Sequence, residues 1–137
     1  MIFAMQRVVA GVIRRNGLIL VAQRDFGSLA GKWEFPGGKV EESETPESAL
    51  KREIQEEFNV GIQVDHLLGE VPFKVDQKEY LLLAFYATHL EGEYQLSDHL
   101  RIEWVQPSRL GEIDLAPADI PIAQKIIQGG VEGELEG

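Results

Sequence analysis

The spacing of the apolar residues changes along the chain, and this change separates predicted strands from predicted helices. Residues 7–14 and 18–24 are rich in β-branched and aliphatic side chains, which is typical of buried strands. The Asn16-Gly17 pair between them is a strong hairpin signal. We therefore expect these two strands to be antiparallel neighbours.

Four further extended segments follow in the second half of the chain. One begins at residues 61–64 and another covers residues 67–75, where Pro72 favours a sheet edge or a bulge. Residues 80–88 form the most continuously apolar run, so we expect this strand to be central. Residues 101–105 are the last predicted strand, and they follow a polar loop.

Helical spacing of three and four appears first between residues 46 and 58. Thr45 can cap the start, Pro46 suits the first helical position, and Asn59 tolerates the left-handed backbone that ends many helices. One face of this helix is apolar and consists of Leu50, Ile54 and Phe58. The pattern predicts an amphipathic helix packed on a sheet.

A second helix is predicted at residues 121–128, ended by Gly129 and Gly130. The remaining residues, 131–137, are mainly Gly and Glu, and we expect an acidic disordered tail. Residues 1–130 then form a single domain. The order of strands, helix, strands and helix indicates an α/β fold with a mixed sheet flanked by helices.

Composition narrows the classes of partner. The formal net charge of −10 argues against a nucleic-acid backbone, since phosphate binding requires a basic surface. The chain has no cysteine, which excludes disulfides and thiolate chemistry. Because no apolar run is long enough for a bilayer and no signal peptide is recognisable, we expect a cytoplasmic protein without membrane contact, either a monomer or a homodimer.

Three carboxylates lie beside the apolar stripe of the first helix, at Glu53, Glu56 and Glu57. Like charges at this spacing repel one another, so the cluster is costly on a bare surface. A solvated acidic face is the simpler interpretation of such a cluster. Here it directly follows the Gly37-Gly38 pair and a capped helix start, which favours a site for Mg²⁺ or Mn²⁺.

These residues resemble the Nudix box. Gly38 is followed by five residues, Glu44, seven residues, and then Arg-Glu-Ile-Gln-Glu-Glu at residues 52–57. Asn59 stands where the box has Gly, a mild departure because both residues accept positive φ. The flanking segments resemble the MutT-like branch, which includes 8-oxo-dGTP diphosphatases and CTP pyrophosphohydrolases.

The resemblance implies an α/β/α sandwich and metal-dependent hydrolysis of a nucleoside diphosphate linked to another group. It implies that Glu53, Glu56 and Glu57 bind Mg²⁺, or Mn²⁺ in its place, together with the backbone carbonyl of Gly37. Any of these glutamates, or an acid in a loop, is a candidate general base.

Two further box residues are expected to hold the carboxylates in place. An ion pair of Arg52 with Glu44 would tie the loop to the helix. The simpler pairing of Arg52 with Glu56, one helical turn away, is also open.

The resemblance also makes five positions outside the acidic cluster candidates for contact with the nucleotide or for proton transfer. Arg24 is either a nucleotide contact or a surface arginine at a strand end, and Gly38 lets the backbone approach a ligand. Asp98 and His99, in the loop before the last strand, are candidate bases, although a histidine in a loop is more often simply exposed. Asp119 is either a base-recognition residue or the cap of the second helix.

The leading hypothesis is a pyrophosphohydrolase of (deoxy)nucleoside triphosphates that releases a monophosphate and pyrophosphate. An ionised Asp119 would only accept hydrogen bonds, which slightly favours cytidine-type nucleotides over oxidised purines. A hydrolase of nucleoside diphosphate sugars or dinucleoside polyphosphates is the second hypothesis, although such relatives often need extra segments. A non-catalytic nucleotide sensor ranks last, because every acidic position of the box is present.

Overall fold

The computed structural model describes the backbone of residues 5–136 and the side chains of residues 5–129. The strands are β1 (Gln6–Arg15), β2 (Leu18–Arg24), β3 (Trp33–Glu34), β4 (Gly37–Lys39), β5 (Gly61–Val75), β6 (Lys78–Glu91) and β7 (His99–Val105). The helices are α1 (Pro46–Phe58) and α2 (Ile120–Glu136), with short 3-10 helices at Pro107–Glu112 and Pro117–Asp119.

The sheet is mixed, as the sequence predicts. Its main path runs β3-β2-β1-β6-β5, while β4 pairs with β1 and β7 pairs with β2. The hairpin of β1 and β2 is antiparallel, whereas β1 and β6 are parallel. Strand β6, expected to be central, is an interior strand between β1 and β5, and Pro72 lies on the edge strand β5.

Two apolar cores lie on opposite faces of the sheet, because successive strand side chains point to opposite sides. On one face Val9, Ile13, Leu83 and Phe85 pack against Leu50, Ile54 and Phe58 of α1. On the other face Ala10, Val12, Leu82 and Ala84 pack against Ile122, Ala123 and Ile126 of α2. The predicted sandwich with the acidic helix on the sheet is therefore confirmed.

Both ends of α1 follow the capping residues in the sequence. The hydroxyl of Thr45 accepts a hydrogen bond from the backbone N–H of Ser48 at 3.1 Å. Asn59 ends the helix in the left-handed region, with φ 59°, and its N–H donates to the carbonyl of Gln55. The helix therefore begins and ends where local chemistry places its limits, which fixes the register of its carboxylates.

The Gly37-Gly38 pair lies in a strand. Both glycines belong to β4, which pairs antiparallel with β1. A Cβ atom on Gly37 would lie 1.8 Å from the carbonyl oxygen of Val9, and one on Gly38 would lie 2.4 Å from the carboxyl carbon of Glu53. The glycines are therefore needed for close packing inside the protein, first against β1 and then against α1.

Helix α2 is longer than predicted, because it continues through Gly129 and Gly130 to Glu136. The expected end at the glycine pair is therefore wrong: glycine weakens a helix but does not forbid it. The structure does not describe the side chains of residues 131–137, and the predicted disorder of this tail stays a prediction. Within residues 5–136, no helix has the length and apolarity needed to cross a membrane.

Candidate functional site

A cleft of about 620 Å³ lies where β2, β3 and β4 meet the end of α1 and the segment before α2. Seven of the predicted site residues line it: Arg24, Gly37, Gly38, Glu57, Asp98, His99 and Asp119. The other four predicted residues, Glu44, Arg52, Glu53 and Glu56, form a hydrogen-bonded cluster centred on α1. The fold thus brings the predicted residues into one cleft and one adjoining cluster.

Arg52 is the centre of the cluster on α1. Its Nε and Nη2 donate to the two carboxylate oxygens of Glu44, at 2.7 and 2.9 Å. Its Nη1 donates to Glu53 at 2.9 Å and to Glu56 at 3.2 Å, and its Nη2 also donates to the carbonyl of Lys39 at 3.1 Å. Both pairings that the sequence left open are present, and one guanidinium joins the loop, strand β4 and the helix.

The same contacts fix the charges in this cluster. Hydrogen bonds from Arg52, and then from the backbone of Glu41, lower the pKa of Glu44 to about 2. The pKa of Arg52 is raised, chiefly by its hydrogen bond to Glu44. Glu44 and Arg52 therefore stay ionised throughout the physiological pH range.

Glu57 occupies the most enclosed position among the three helix carboxylates. Burial raises its pKa to about 9, and the negative charges of Glu53, Glu34 and Asp98 add to the effect. Its Oε2 atom is buried and has no hydrogen-bond partner among the described residues. A carboxylate in this condition would be stabilised by a cation, because the cation would replace the missing partner and oppose the surrounding negative charge.

The donor set fits a hard divalent cation. Glu53, Glu56 and Glu57 offer carboxylate oxygens and Gly37 offers a carbonyl, the ligands that Mg²⁺ prefers. Among the described residues, no group of three or more His, Asp or Glu side chains converges closely enough to hold a metal without help. Glu56 instead points to Arg52. Mg²⁺ usually takes few protein ligands and completes its shell with substrate phosphates and water.

Asp119 lies at the base of the cleft, with only 7% of its surface exposed. The segment before it is tied to β3, since Trp33 donates to the carbonyl of Asp114 and accepts from the N–H of Ala116. Burial and the charge of Glu34 raise the pKa of Asp119 well above its ordinary value, although the N–H of Phe35 and the charge of Arg24 oppose this.

The alternative role of Asp119, as a helix cap, has no support in the hydrogen bonding. Within residues 5–129, no hydrogen bond joins its carboxyl to the first turn of α2. Its backbone N–H donates to Ala116 within the 3-10 turn, while its carboxyl lines the cleft.

Arg24 is placed at the cleft by an irregularity in the sheet. The pairing of β2 with β7 shifts register between Gln23 and Arg24, a bulge of the kind that redirects side chains near sites. The guanidinium then lies 3.5 Å from Glu34 and 5.2 Å from the ring centre of Phe26. Arg24 is therefore partly enclosed in the cleft wall rather than free on the surface.

The loop that carries Asp98 is fastened to the end of α1. The N–H of Gln95 donates to the carbonyl of Phe58, and the hydroxyl of Ser97 donates to the carbonyl of Glu57 at 3.0 Å. These bonds satisfy carbonyl groups that a helix end leaves open. They also bring Asp98, which is exposed, near Glu57.

His99 differs from its expected state. It is the first residue of β7, not a loop residue, and only 3% of its side chain is exposed. Its Nε2 lies 2.8 Å from a carboxylate oxygen of Glu34, and its ring stacks on Phe58 of α1. The expectation of an exposed histidine is wrong, because the bonds between the preceding loop and α1 draw the start of β7 against the helix.

Two residues of the cleft were not predicted from the sequence. Glu34 contacts both Arg24 and His99, and its charge acts on Glu57 and Asp119. Its one local signal is an acid between the large apolar residues 33 and 35. Phe26 is 56% exposed at the cleft wall, an unusual position for a large aromatic side chain.

Comparison with known proteins places the chain among enzymes that act on nucleotides. Residues 5–128 match the family model described as NUDIX domain. The chain is 38% identical to the CTP pyrophosphohydrolase of Escherichia coli strain K12, covering 88% of this chain and 90% of that protein. It is 42% identical to the putative 8-oxo-dGTP diphosphatase 2 of Mycobacterium tuberculosis, covering 83% and 82%.

A solved structure also resembles this fold over most of the chain. The solution structure of the E. coli ORF135 protein superposes with a TM-score of 0.84 at 36% sequence identity. The match covers 90% of this chain and 89% of that chain. The mixed sheet and its two flanking helices therefore agree with an experimentally determined relative over nearly the whole length.

Proposed function

The chain belongs to the NUDIX family, and on that premise we propose that it hydrolyses (deoxy)nucleoside triphosphates to a monophosphate and pyrophosphate. Enzymes of this family act on small nucleotides and use divalent metal ions. One observation carries the proposal: a single cleft joins Glu57 of α1 to Arg24 and Asp119. Its volume of about 620 Å³ lies in the ordinary range for small-molecule sites, roughly 300–1,000 Å³.

Mg²⁺, with Mn²⁺ as a substitute, is the proposed cofactor. We assign it to Glu53, Glu56 and Glu57, with the backbone carbonyl of Gly37 as a further ligand. When bound, the ion supplies positive charge for the phosphates and acidifies water. The buried and unpartnered oxygen of Glu57 supports this assignment.

The remaining residues bind, orient and move a proton. Arg24 and Lys39 line the cleft and offer positive charge to phosphates in an otherwise acidic protein. Arg52 and Glu44 hold the carboxylates of α1 in place. Asp98 is the proposed general base, because it is exposed beside Glu57, whereas the Nε2 of His99 is already engaged with Glu34.

Asp119 is the proposed contact of the nucleobase. A raised pKa favours the protonated carboxyl, which can donate one hydrogen bond and accept another. Such a group fits a base edge that presents a donor next to an acceptor. Cytosine and 8-oxoguanine both have such an edge, so the slight preference for cytidine derived from an ionised Asp119 no longer holds. We propose both classes as substrates.

A substrate panel tests the proposal. CTP, dCTP, 8-oxo-dGTP, dGTP and a nucleoside diphosphate sugar are each incubated with Mg²⁺, and pyrophosphate and phosphate release are measured separately. We expect pyrophosphate from at least one triphosphate in the panel. Turnover of the sugar nucleotide alone, or tight nucleotide binding without any turnover, would overturn the proposal in favour of a different hydrolase or a sensor.

A cytoplasmic location and a monomeric or homodimeric state stay predictions from the sequence. The proposed partner is the small nucleotide substrate, without nucleic acid. The strongly negative net charge supports this choice, since it opposes binding to the phosphate backbone of a nucleic acid but not to a metal-bound nucleotide.

A further inference from the structure

Three buried polar atoms have no hydrogen-bond partner among the described residues, and all three belong to residues of the cleft. They are Nε of Arg24, Oε2 of Glu57 and Nδ1 of His99. An unpaired buried polar atom is costly, so each of these three residues needs an explanation other than the stability of the fold. Arg24 and Glu57 already have proposed roles, but the role of His99 is unexplained.

The hydrogen bond of His99 has a defined direction. A carboxylate accepts only, so the Nε2 of His99 carries the proton and donates to Glu34 at 2.8 Å. Charge-assisted hydrogen bonds of this kind are stronger than neutral ones. The donor therefore holds one oxygen of the Glu34 carboxylate.

The second oxygen of Glu34 continues the chain of contacts. It lies 3.5 Å from a terminal nitrogen of Arg24. The three residues come from neighbouring strands β7, β3 and β2, and the bulge at Arg24 places it opposite His99 in the ladder. His99 thus acts on Arg24 through Glu34.

Stacking anchors this chain to the catalytic helix. The ring of His99 is 5.3 Å from the ring of Phe58, nearly parallel at 18°. Phe58 is fully buried and directly follows Glu57 in α1. A phenylalanine at position 99 would satisfy this apolar contact better than a histidine, so packing alone does not account for the imidazole.

We propose that His99 is a positioning residue of the nucleotide site, which holds Glu34 by its Nε2–H and thereby fixes the guanidinium of Arg24. The inference rests on the proposed function, because it gives Arg24 a nucleotide to contact. His99 itself touches no reacting atom. Its loss therefore weakens nucleotide binding more than it slows the chemical step.

Two substitutions separate the hydrogen bond from the stacking. His99→Phe keeps an aromatic ring on Phe58 and removes the donor, whereas His99→Gln restores an N–H donor without the ring. We expect His99→Phe to raise KM about tenfold with little change in kcat, the size typical for loss of a supporting contact. His99→Gln should recover most of that loss. The Mg²⁺ concentration for half-maximal activity should be unchanged in both.

A double-mutant cycle tests the route through Glu34. If His99 acts on Arg24 through that carboxylate, Glu34→Gln should raise KM by itself, and adding His99→Phe should then have little further effect. Should His99→Phe fail to fold, Glu34→Gln still tests the inference, because an unchanged KM in that variant would overturn the route through the carboxylate. Independent, multiplicative effects of the two substitutions would overturn the inference.

His89 provides a matched control. It also contacts an aromatic neighbour, with Nδ1 3.1 Å from the hydroxyl of Tyr94, but it does not line the cleft. His89→Phe should leave KM unchanged. The positioning role would be overturned if His89→Phe and His99→Phe raised KM equally. It would also be overturned if KM in His99→Gln were as high as in His99→Phe.

The wild-type protein separates this inference from the proposed function. If the wild type neither hydrolyses nor binds any triphosphate of the panel, the proposed function fails. If the wild type is active and His99→Phe retains its KM, only the positioning role fails.

Discussion

At the residue scale, the environment of Asp119 changes what its sequence position implies. A carboxylate in a Pro-Ala-Asp segment before a helix is expected to be ionised and to accept hydrogen bonds only. Burial near the charge of Glu34 raises its pKa instead. In its protonated form the side chain, like an asparagine, offers a donor and an acceptor together.

This similarity gives a prediction about base preference. Asp119→Asn should keep the ratio of kcat/KM values for CTP and 8-oxo-dGTP at pH values below the raised pKa of Asp119. As the pH rises through its raised pKa, the wild type loses the donor while the variant keeps it. The wild-type ratio should therefore change with pH and the variant ratio should not. Parallel pH profiles of the two ratios would contradict the assignment.

At the element scale, β4 pairs with β1 and packs against α1, and its two glycines have different roles in these contacts. Gly37 allows β4 to lie against the backbone of β1, whereas Gly38 leaves room for the carboxyl of Glu53. A backbone atom cannot move without disturbing the sheet, but the end of a glutamate side chain can. The two positions should thus respond differently to the same added methyl group.

We predict that Gly37→Ala lowers the free energy of unfolding by about 1–3 kcal/mol or more, measured by urea denaturation. Gly38→Ala should leave the denaturation midpoint nearly unchanged but lower kcat and weaken the response to Mg²⁺, because it displaces Glu53. Equal losses of stability in both variants would show that Gly38 serves packing rather than the carboxylate.

A second prediction at this scale concerns the guanidinium that joins α1 to the loop. Arg52→Lys keeps the charge but loses the two-pronged contact with Glu44. We expect about a tenfold loss of kcat and of Mg²⁺ affinity, the usual range for groups that orient metal ligands. Lys51→Arg, on the exposed side of α1, is the control and should leave both unchanged. If kcat were unaltered in Arg52→Lys, Arg52 would form only an ion pair and would not orient the carboxylates of α1.

At the scale of the whole molecule, the acidic site opposes folding in the absence of cations. The folded protein holds a proton on Glu57 up to a pH of about 9, whereas the unfolded chain releases it near 4.5. Folding therefore binds a proton in this window. The stability that Glu57 contributes is complete below about pH 4.5 and is lost as the pH rises through about 9.

We predict that the metal-free protein becomes less stable as the pH rises from 5 to 9, and that Glu57→Gln reduces this slope by up to about 1.4 kcal/mol per pH unit. Mg²⁺ should stabilise the wild type, with a larger effect at alkaline pH, and should stabilise the variant less. Thermal unfolding with and without Mg²⁺ measures both effects. Glu47→Gln, on the exposed first turn of α1, is the control and should keep the wild-type slope.

The local features of the site depend on residues that are close together in the chain, and so they could be predicted from the sequence alone. The caps at Thr45 and Asn59, the carboxylates of α1 and the ion pair of Arg52 with Glu44 depend on helical spacing and short loops. Contacts of this kind arise within about fifteen residues. The apolar runs likewise predicted the strands at residues 7–14, 18–24, 80–88 and 101–105.

Only the tertiary structure decided which distant residues meet in the cleft. Glu34 and His99 are 65 positions apart, and their hydrogen bond exists because β3 and β7 flank β2 on a register that the bulge at Arg24 shifts. The burial that raises the pKa of Asp119 comes from the tie between β3 and the segment before α2. The sequence by itself determined the helix, its carboxylates and the class of chemistry, because these rest on local spacing. The contacts and proton affinities of the nucleotide pocket depend on packing between strands, which no local pattern encodes.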